Sequence, residues 1–171
     1  TLLTGFSTAL SFDGTNDYVQ LTGNINAGNN FTFNTLFNAS NTSNTKILAS
    51  NGMELCLCNG EIDVYPYNTR SSGLNISLNT SHKLSVVYNN PTLTVYLDGN
   101  LVATGSSGTP IALSTPRLGQ HHGADCCKLT GALDETSFWN VSLSPAQTNS
   151  YFNQPLTGTE SGLMAYYDYN Q

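Results

Sequence analysis

HKLSVVYNNPTLTVYLDGNLVA, residues His82 to Ala103, decides the fold. Leu84, Val86 and Tyr88 alternate with Lys83, Ser85 and Asn89, and beyond Asn90-Pro91 the beat resumes with Leu93, Val95 and Leu97 against Thr92, Thr94 and Tyr96. A repeat of two places one set of side chains on one face of a pleated strand. Asn89-Asn90-Pro91 and Asp98-Gly99-Asn100 supply turn residues, because Pro fixes φ while Gly and Asn tolerate positive φ. The stretch therefore predicts an antiparallel meander of three strands with one face free to build a core.

Working outward, ALSFDGTNDYVQL (residues 9–21) predicts a strand, a polar turn at Asp13 to Asp17, and a second strand. Phe31, Phe33, Thr35 and Phe37 share one face of the next strand, and three phenylalanines on a face imply a deep core position. Asn38 to Asn44 is loop by composition, and Lys46 to Ser50 is a short strand. Met53–Cys58 and Glu61–Tyr67 form a hairpin turning at Asn59-Gly60, a pair suited to two-residue turns. Leu74, Ile76 and Leu78 alternate again. The later chain offers a polar run at Thr104 to Thr109, strands at 117–119, 129–141 and 162–169, and a loop at Gln120 to Lys128. Ser144 to Phe152 alone carries a helix signature: Ser at the N-cap, Pro at the first helical position and Gln147 completing a capping box. Many short strands with almost no helix predict an all-β sandwich or barrel.

At 171 residues the chain has the length of one domain, spanning 1–171, with room for a core that needs no staple. Only 9% of residues are charged, and five Lys and Arg against eleven Asp and Glu give a net charge of -6. So few cations cannot track a phosphate backbone, which excludes nucleic acid as a partner. No apolar run approaches the roughly 20 residues that cross a bilayer, and no signal peptide opens the numbering. The expectation is an excised soluble module without membrane insertion. A surface dressed in Asn, Ser, Thr and Tyr fits an extracellular or cell-surface protein. Asn30, Asn38, Asn41, Asn75, Asn79 and Asn140 begin glycosylation triplets, which chance also produces in a chain so rich in Asn and Thr.

ALSFDGTNDYVQL, HKLSVVYNNPTLTVYLDGNLVATG, LTGALDETSFWNVSLSPAQ and GLMAYYDYNQ stand in the order found in laminin G-like domains of the concanavalin A-like lectin/glucanase superfamily, which the chain resembles over nearly its whole length. The resemblance implies a jelly-roll sandwich of two curved antiparallel sheets, with the first and last strands side by side. Such domains usually serve as carbohydrate- or protein-binding modules of extracellular proteins. One departure concerns the residues before the central strand, where the family commonly has Trp and this chain has Ser81-His82-Lys83. Many laminin G-like domains bind calcium, and matching the motifs makes Asp13, Asn16 and Asp134 candidate oxygen ligands, with Glu135 beside them. Calcium asks for 6 to 8 oxygens in flexible geometry. The alternative is that Asp13 and Asn16 make Asx-type turn bonds.

Glu61-Ile62-Asp63-Val64-Tyr65 resembles the start of the catalytic strand of glucanases that share this fold. Those enzymes need two carboxylates in separate roles, and the second glutamate's position here holds Tyr65 or Pro66, so no hydrolytic activity is expected. In Gln120-His121-His122-Gly123-Ala124-Asp125-Cys126-Cys127, two histidines and an Asp have the chemistry for zinc, but neighbours in an extended loop point apart. A polar recognition loop is the preferred reading, with His121, His122, Asp125, Cys126 and Cys127 contacting ligand at the sheet rim. Cys56 and Cys58 share a strand face. They either cross-link to Cys126 and Cys127, or Cys126–Cys127 closes as a vicinal disulfide that gives a flat platform. At least one disulfide is expected in an oxidising compartment. Tyr65 and Tyr67, with Arg70 at the hairpin end, either stack on sugar rings or pack into the core. The leading functional expectation is a non-enzymatic, lectin-like module of a surface adhesin that binds a glycan or glycoconjugate. The alternative is a protein-binding tip or spacer of a homo-oligomeric fibre.

Overall fold

The computed structural model describes residues 8–67 and 69–170. The ends of the expected 1–171 domain, residues 1–7 and 171, and position 68 lie outside the described residues. In chain order the strands are β1 (Leu10–Asp13), β2 (Val19–Gln20), β3 (Ile25–Gly28), β4 (Asn30–Ala39), β5 (Ser43–Ala49), β6 (Glu54–Cys58), β7 (Glu61–Tyr65) and β8 (Thr69–Arg70). They continue with β9 (Ser81–Asn89), β10 (Thr92–Leu97), β11 (Asn100–Ser106), β12 (Ile111–Leu113), β13 (Arg117–Leu118) and β14 (Thr130–Trp139). Helix α1 (Pro145–Tyr151) precedes β15 (Leu163–Tyr167). The expected jelly-roll sandwich is what forms. One antiparallel sheet runs β1-β14-β4-β9-β10-β11, with β15 also on β14; the facing sheet runs β2-β13-β5-β6-β7-β8.

The meander is β9, β10 and β11, and its inward residues Leu84, Val86, Tyr88, Leu93 and Val95 are fully buried. Strand β4 lies between β9 and β14, with Phe33 opposite Val86 on one side and Phe138 on the other. Phe31, Phe33 and Phe37 meet Leu55, Leu57, Ile62 and Val64 of the opposite sheet in one apolar cluster. The outward face of β4 is also closed. Thr32 donates through Oγ1 to Val141 O and accepts the Leu143 amide, while Trp139 stacks on Tyr151 of α1 at 4.7 Å. Helix α1 begins as its sequence predicts, with Ser144 and Gln147 in a reciprocal capping box.

Asn59 and Gly60 both take positive φ at the β6–β7 turn, the twist that a two-residue hairpin requires. At the sandwich edge a Cβ on Gly105 would fall 1.9 Å from Thr69 Oγ1, so only glycine lets β11 and β8 approach.

Four expectations change. Leu74 to Leu78 is not a strand. Ile76 is buried but Leu78 is exposed, and the segment is held by Ile76 N–H to Gly60 O and Asn79 N–H to Ala39 O rather than by a ladder. The 38–44 loop shrinks because β4 runs to Ala39 and β5 starts at Ser43. A small β3–β12 sheet was not foreseen. The first and last strands do not pair side by side: β1 pairs with residues 130–133 and β15 with residues 136–139, both antiparallel to β14. They lie end to end along β14, on either side of the stretch where its pairing with β4 is bulged between Asp134 and Ser137.

Phe33→Ala is expected to cost about 3–5 kcal/mol of unfolding free energy. Leu101→Ala, at a position 58% exposed, should change it by less than about 0.5 kcal/mol. Urea denaturation followed by fluorescence of the single Trp measures both.

Candidate functional site

Alternation along β6 sends Leu55 and Leu57 inward and Glu54, Cys56 and Cys58 outward, and β7 sends Ile62 and Val64 inward and Glu61, Asp63 and Tyr65 outward. Register sets Glu54 opposite Tyr65, Cys56 opposite Asp63, and Asp63 opposite Arg70. Directly opposed side chains have Cβ atoms about 4.5–5.5 Å apart, so these residues form one polar surface. Tyr65 projects from it, 69% exposed. Arg70 reaches Glu61 through Nε at 2.5 Å and Asp63 through Nη1 at 3.6 Å. The Gly73 amide first, and then Arg70, hold the Glu61 carboxyl below the usual carboxylate range.

The loop 120–128 covers the β5–β6 end of the same face. It is a closed turn, not an extended segment. Leu129 N–H donates to Gly119 O, His121 N–H to Cys126 O, and Lys46 N–H to Cys127 O, while the buried Gln120 side chain donates to Asp125 Oδ1. The expectation that His121 and His122 point apart is therefore overturned. Their rings stack 4.8 Å apart, and both turn toward Glu54. His121 Nε2 lies 2.9 Å and His122 Nδ1 3.6 Å from Glu54 Oε1. Lys46 Nζ holds the other carboxylate oxygen at 2.9 Å. Burial first, and then the His121 ring, lower the His122 pKa.

Asp125 does not join this group. Its exposed carboxylate pairs with Lys128 Nζ at 2.7 Å, and that bond holds it below the usual range. Tyr67 is not available to a ligand either. The chain turns at the end of β7, with Tyr67 N–H bonded to Val64 O, and the ring goes fully inside against Tyr88 at 5.4 Å. Face alternation ends with the strand, so Tyr65 and Tyr67 part company. Burial pushes the Tyr67 hydroxyl up to about 12, and that hydroxyl has no hydrogen-bond partner among the described residues.

The cysteines gather around Asn44, whose Oδ1 is 3.4 Å from Cys56 Sγ and whose Nδ2 is 3.5 Å from Cys127 Sγ. The bond formed is Cys56–Cys58, across the same strand face. Neither cross-link to the loop nor a vicinal Cys126–Cys127 bond is present. Cys126 and Cys127 are free thiols with sulfurs 2.9 Å apart, and burial first, then Cys126, raise the Cys127 thiol to about 11.

The residues matched for calcium do not fit it as a set. Asp13 lies opposite Thr130, whereas Asp134 sits four residues farther along β14, opposite Leu36, a separation of about 13 Å at strand spacing. Asp13 Oδ1 accepts the amides of Thr15 and Asn16, and Asp17 accepts that of Asp13, which is an Asx-type turn complete in itself. Asp134 is buried, with Oδ1 accepting the Glu135 amide.

Sequence reasoning did not single out Glu54, Lys46 or Asn51, which complete the histidine cluster. The alternation of Glu54 with the two cysteines marked it as outward. Only the long-range closure of the 120–128 loop shows what it faces.

Two facing antiparallel sheets, with polar side chains on one outer face and a loop at its rim, define a jelly roll of the lectin type. A laminin G-type family model, described as the concanavalin A-like lectin/glucanases superfamily, matches residues 13–149, and the chain belongs to that superfamily. Among solved structures, a Bacteroides ovatus protein assigned to carbohydrate binding superposes with a TM-score of 0.76 at 17% identity, over 93% of this chain and 52% of its own. This chain thus spans about half the length of that protein. Domain 4 of an extracellular arabinanase from Geobacillus stearothermophilus, in complex with arabinotriose, gives 0.65 at 16% identity over 84% of this chain and 75% of its own. The ligand binding domain of botulinum neurotoxin serotype D, in complex with N-acetylneuraminic acid, gives 0.64 at 17% identity over 90% and 44%. At such identities the likeness is one of fold. No curated protein sequence matches the chain.

Burial pushes the Asp134 carboxyl above its usual range, and the nearby Asp168 adds to the effect. The folded state therefore holds that proton more tightly than the unfolded chain, and stability falls as pH rises from the unfolded value near 4 through the raised one. Asp134→Asn keeps the acceptor and removes the charge. It is expected to be more stable than the parent at pH 7, with the difference vanishing in urea titrations below about pH 4.

Proposed function

We propose that this chain is a non-enzymatic, carbohydrate-binding module of an extracellular or cell-surface protein, engaging a glycan on the outer face of β6, β7 and β8. The observation that carries this reading is Tyr65. An exposed ring stands on a strand face, flanked by the Arg70–Glu61–Asp63 ion group and, through Glu54, by the histidine pair. A pyranose presents CH groups to such a ring, and its hydroxyls take the charged and amide groups around it. His121, His122, Cys126 and Cys127 border this face, while Asp125 extends into solvent beside it. The carbohydrate complexes of the arabinanase domain and the toxin domain support the reading by analogy of fold.

The carboxylates of β7 support the non-enzymatic reading. A glycosidase needs a general acid that stays protonated near neutral pH opposite a second carboxylate. Glu61 is held ionised by the Gly73 amide and Arg70, and the position matched to the second glutamate holds Tyr65 or Pro66. A secreted setting agrees with the Cys56–Cys58 disulfide and with the uncharged polar surface.

On a glycan array the chain should bind a restricted set of sugars, and Tyr65→Ala should weaken that binding at least tenfold while leaving the unfolding midpoint unchanged. A blank array at high protein density, beside a positive screen for protein partners, would overturn the reading in favour of the structural or protein-binding role.

A further inference from the structure

The geometry points to a binding site for a borderline divalent cation of the zinc type, held by Glu54, His121 and His122. One ligand atom from each of these residues lies within 4.8 Å of the others. Tetrahedral zinc with bonds of about 2.0–2.1 Å sets its ligand atoms roughly 3.3 Å apart. The two pairs to Glu54, at 2.9 Å and 3.6 Å, bracket that value, and the ligand atoms of the two histidines stand within 4.8 Å of each other. Two imidazoles and one carboxylate with an open fourth position for water is a donor set that zinc accepts.

His122 supplies the independent observation. Its Nε2 lies 2.7 Å from Asn51 Oδ1, an acceptor, so the ring proton sits on Nε2. That leaves Nδ1 a bare lone pair, buried and without a hydrogen-bond partner among the described residues, facing a carboxylate oxygen 3.6 Å away. Two electron-rich atoms pointed at one another repel unless a proton or a cation lies between them. A ligating histidine usually donates its other ring N–H to a carbonyl or carboxylate, as His122 does to Asn51. Glu54 is oriented in the same way, with Oε2 fixed by Lys46 and Oε1 left toward the histidines.

His121 must adjust. Its Nδ1 now accepts the Gly123 amide, so its proton is on Nε2 and points to Glu54. Ligation through Nε2 moves that proton to Nδ1, and the exposed Gly123 amide turns to water. No net proton is released. The inference concerns the metal alone and stands apart from the glycan reading.

Isothermal titration of the metal-stripped chain with zinc chloride at pH 7.5, without sugar, tests it. The expected result is one ion per chain, with affinity reduced at least tenfold in His122→Gln and in Glu54→Gln. Circular dichroism confirms that both variants are folded. Because Cys126 and Cys127 are nearby thiols, the Cys126→Ser/Cys127→Ser double variant is titrated as well and should retain the site. Cobalt substitution in that variant should give the visible absorption of a nitrogen- and oxygen-ligated ion. The proposal is overturned if the parent chain shows no saturable one-to-one binding, if His122→Gln and Glu54→Gln bind as well as the parent, or if binding disappears with the thiols.

Discussion

Strand β4 is the member on which the rest of the molecule depends. It is paired along its whole length, to β9 on one side and β14 on the other, and its phenylalanines occupy the middle of the interior. A one-residue slip would exchange Phe31, Phe33 and Phe37 for Thr32 and Asn34 on the inward face. It would also detach Thr32 from the Val141–Leu143 segment that leads into α1. Both faces of this strand are therefore specified, one by apolar contact and the other by hydrogen bonds. Burying one such aromatic side chain contributes about 1.5–3 kcal/mol, so a wrong register forfeits several of these at once.

That arrangement also decides where recognition chemistry can stand. The outer face of the larger sheet is occupied by α1 and the Trp139–Tyr151 stack. The outer face of the smaller sheet carries no helix, and its strands alternate cleanly, with apolar residues facing in and Glu54, Glu61, Asp63 and Tyr65 facing out. The 120–128 loop folds over part of this face and is held by backbone bonds to β5 and by Lys128, which donates to Thr15 O in the first turn. Charged groups are scarce in this protein, with 9% of residues charged, so their concentration here sets the face apart from the uncharged polar surface elsewhere.

What was legible in the sequence was local. The meander, the Asn59-Gly60 hairpin and the Ser144 cap each depend on a few adjacent residues whose backbone preferences agree with the fold, and each formed as read. The segment Leu74 to Leu78 has the alternation of a strand but joins no ladder, its backbone held instead by Gly60 O and Ala39 O, so tertiary context overrode its pattern. Tyr67 was placed by strand parity, which has no meaning beyond the turn after Tyr65. Asp13 and Asp134, matched together for calcium, stand apart because motif order does not fix where residues lie along a ladder. The convergence of His121 and His122 on Glu54 was missed because the closure of their loop depends on Gly119, Gln120 and Lys46, whose partners cannot be read from neighbours in sequence. His82 is buried against Phe37 with ring nitrogens on Asp98 and Ser77 O. It ties the head of the meander to its second turn and to the preceding loop.

The end-to-end placement of β1 and β15 on β14 has a mechanical meaning. Tyr167, where the last strand leaves, and Leu10, where the first begins, meet at the same bulge, and Thr8 bonds to Asn170 beside it. Entry and exit at one spot make the unit a pendant: it can hang from a loop of a larger host without stretching that host. Tension applied between its two ends would peel a few hydrogen bonds in sequence from one strand edge, while the sheet interiors stay unloaded until those outermost strands come away.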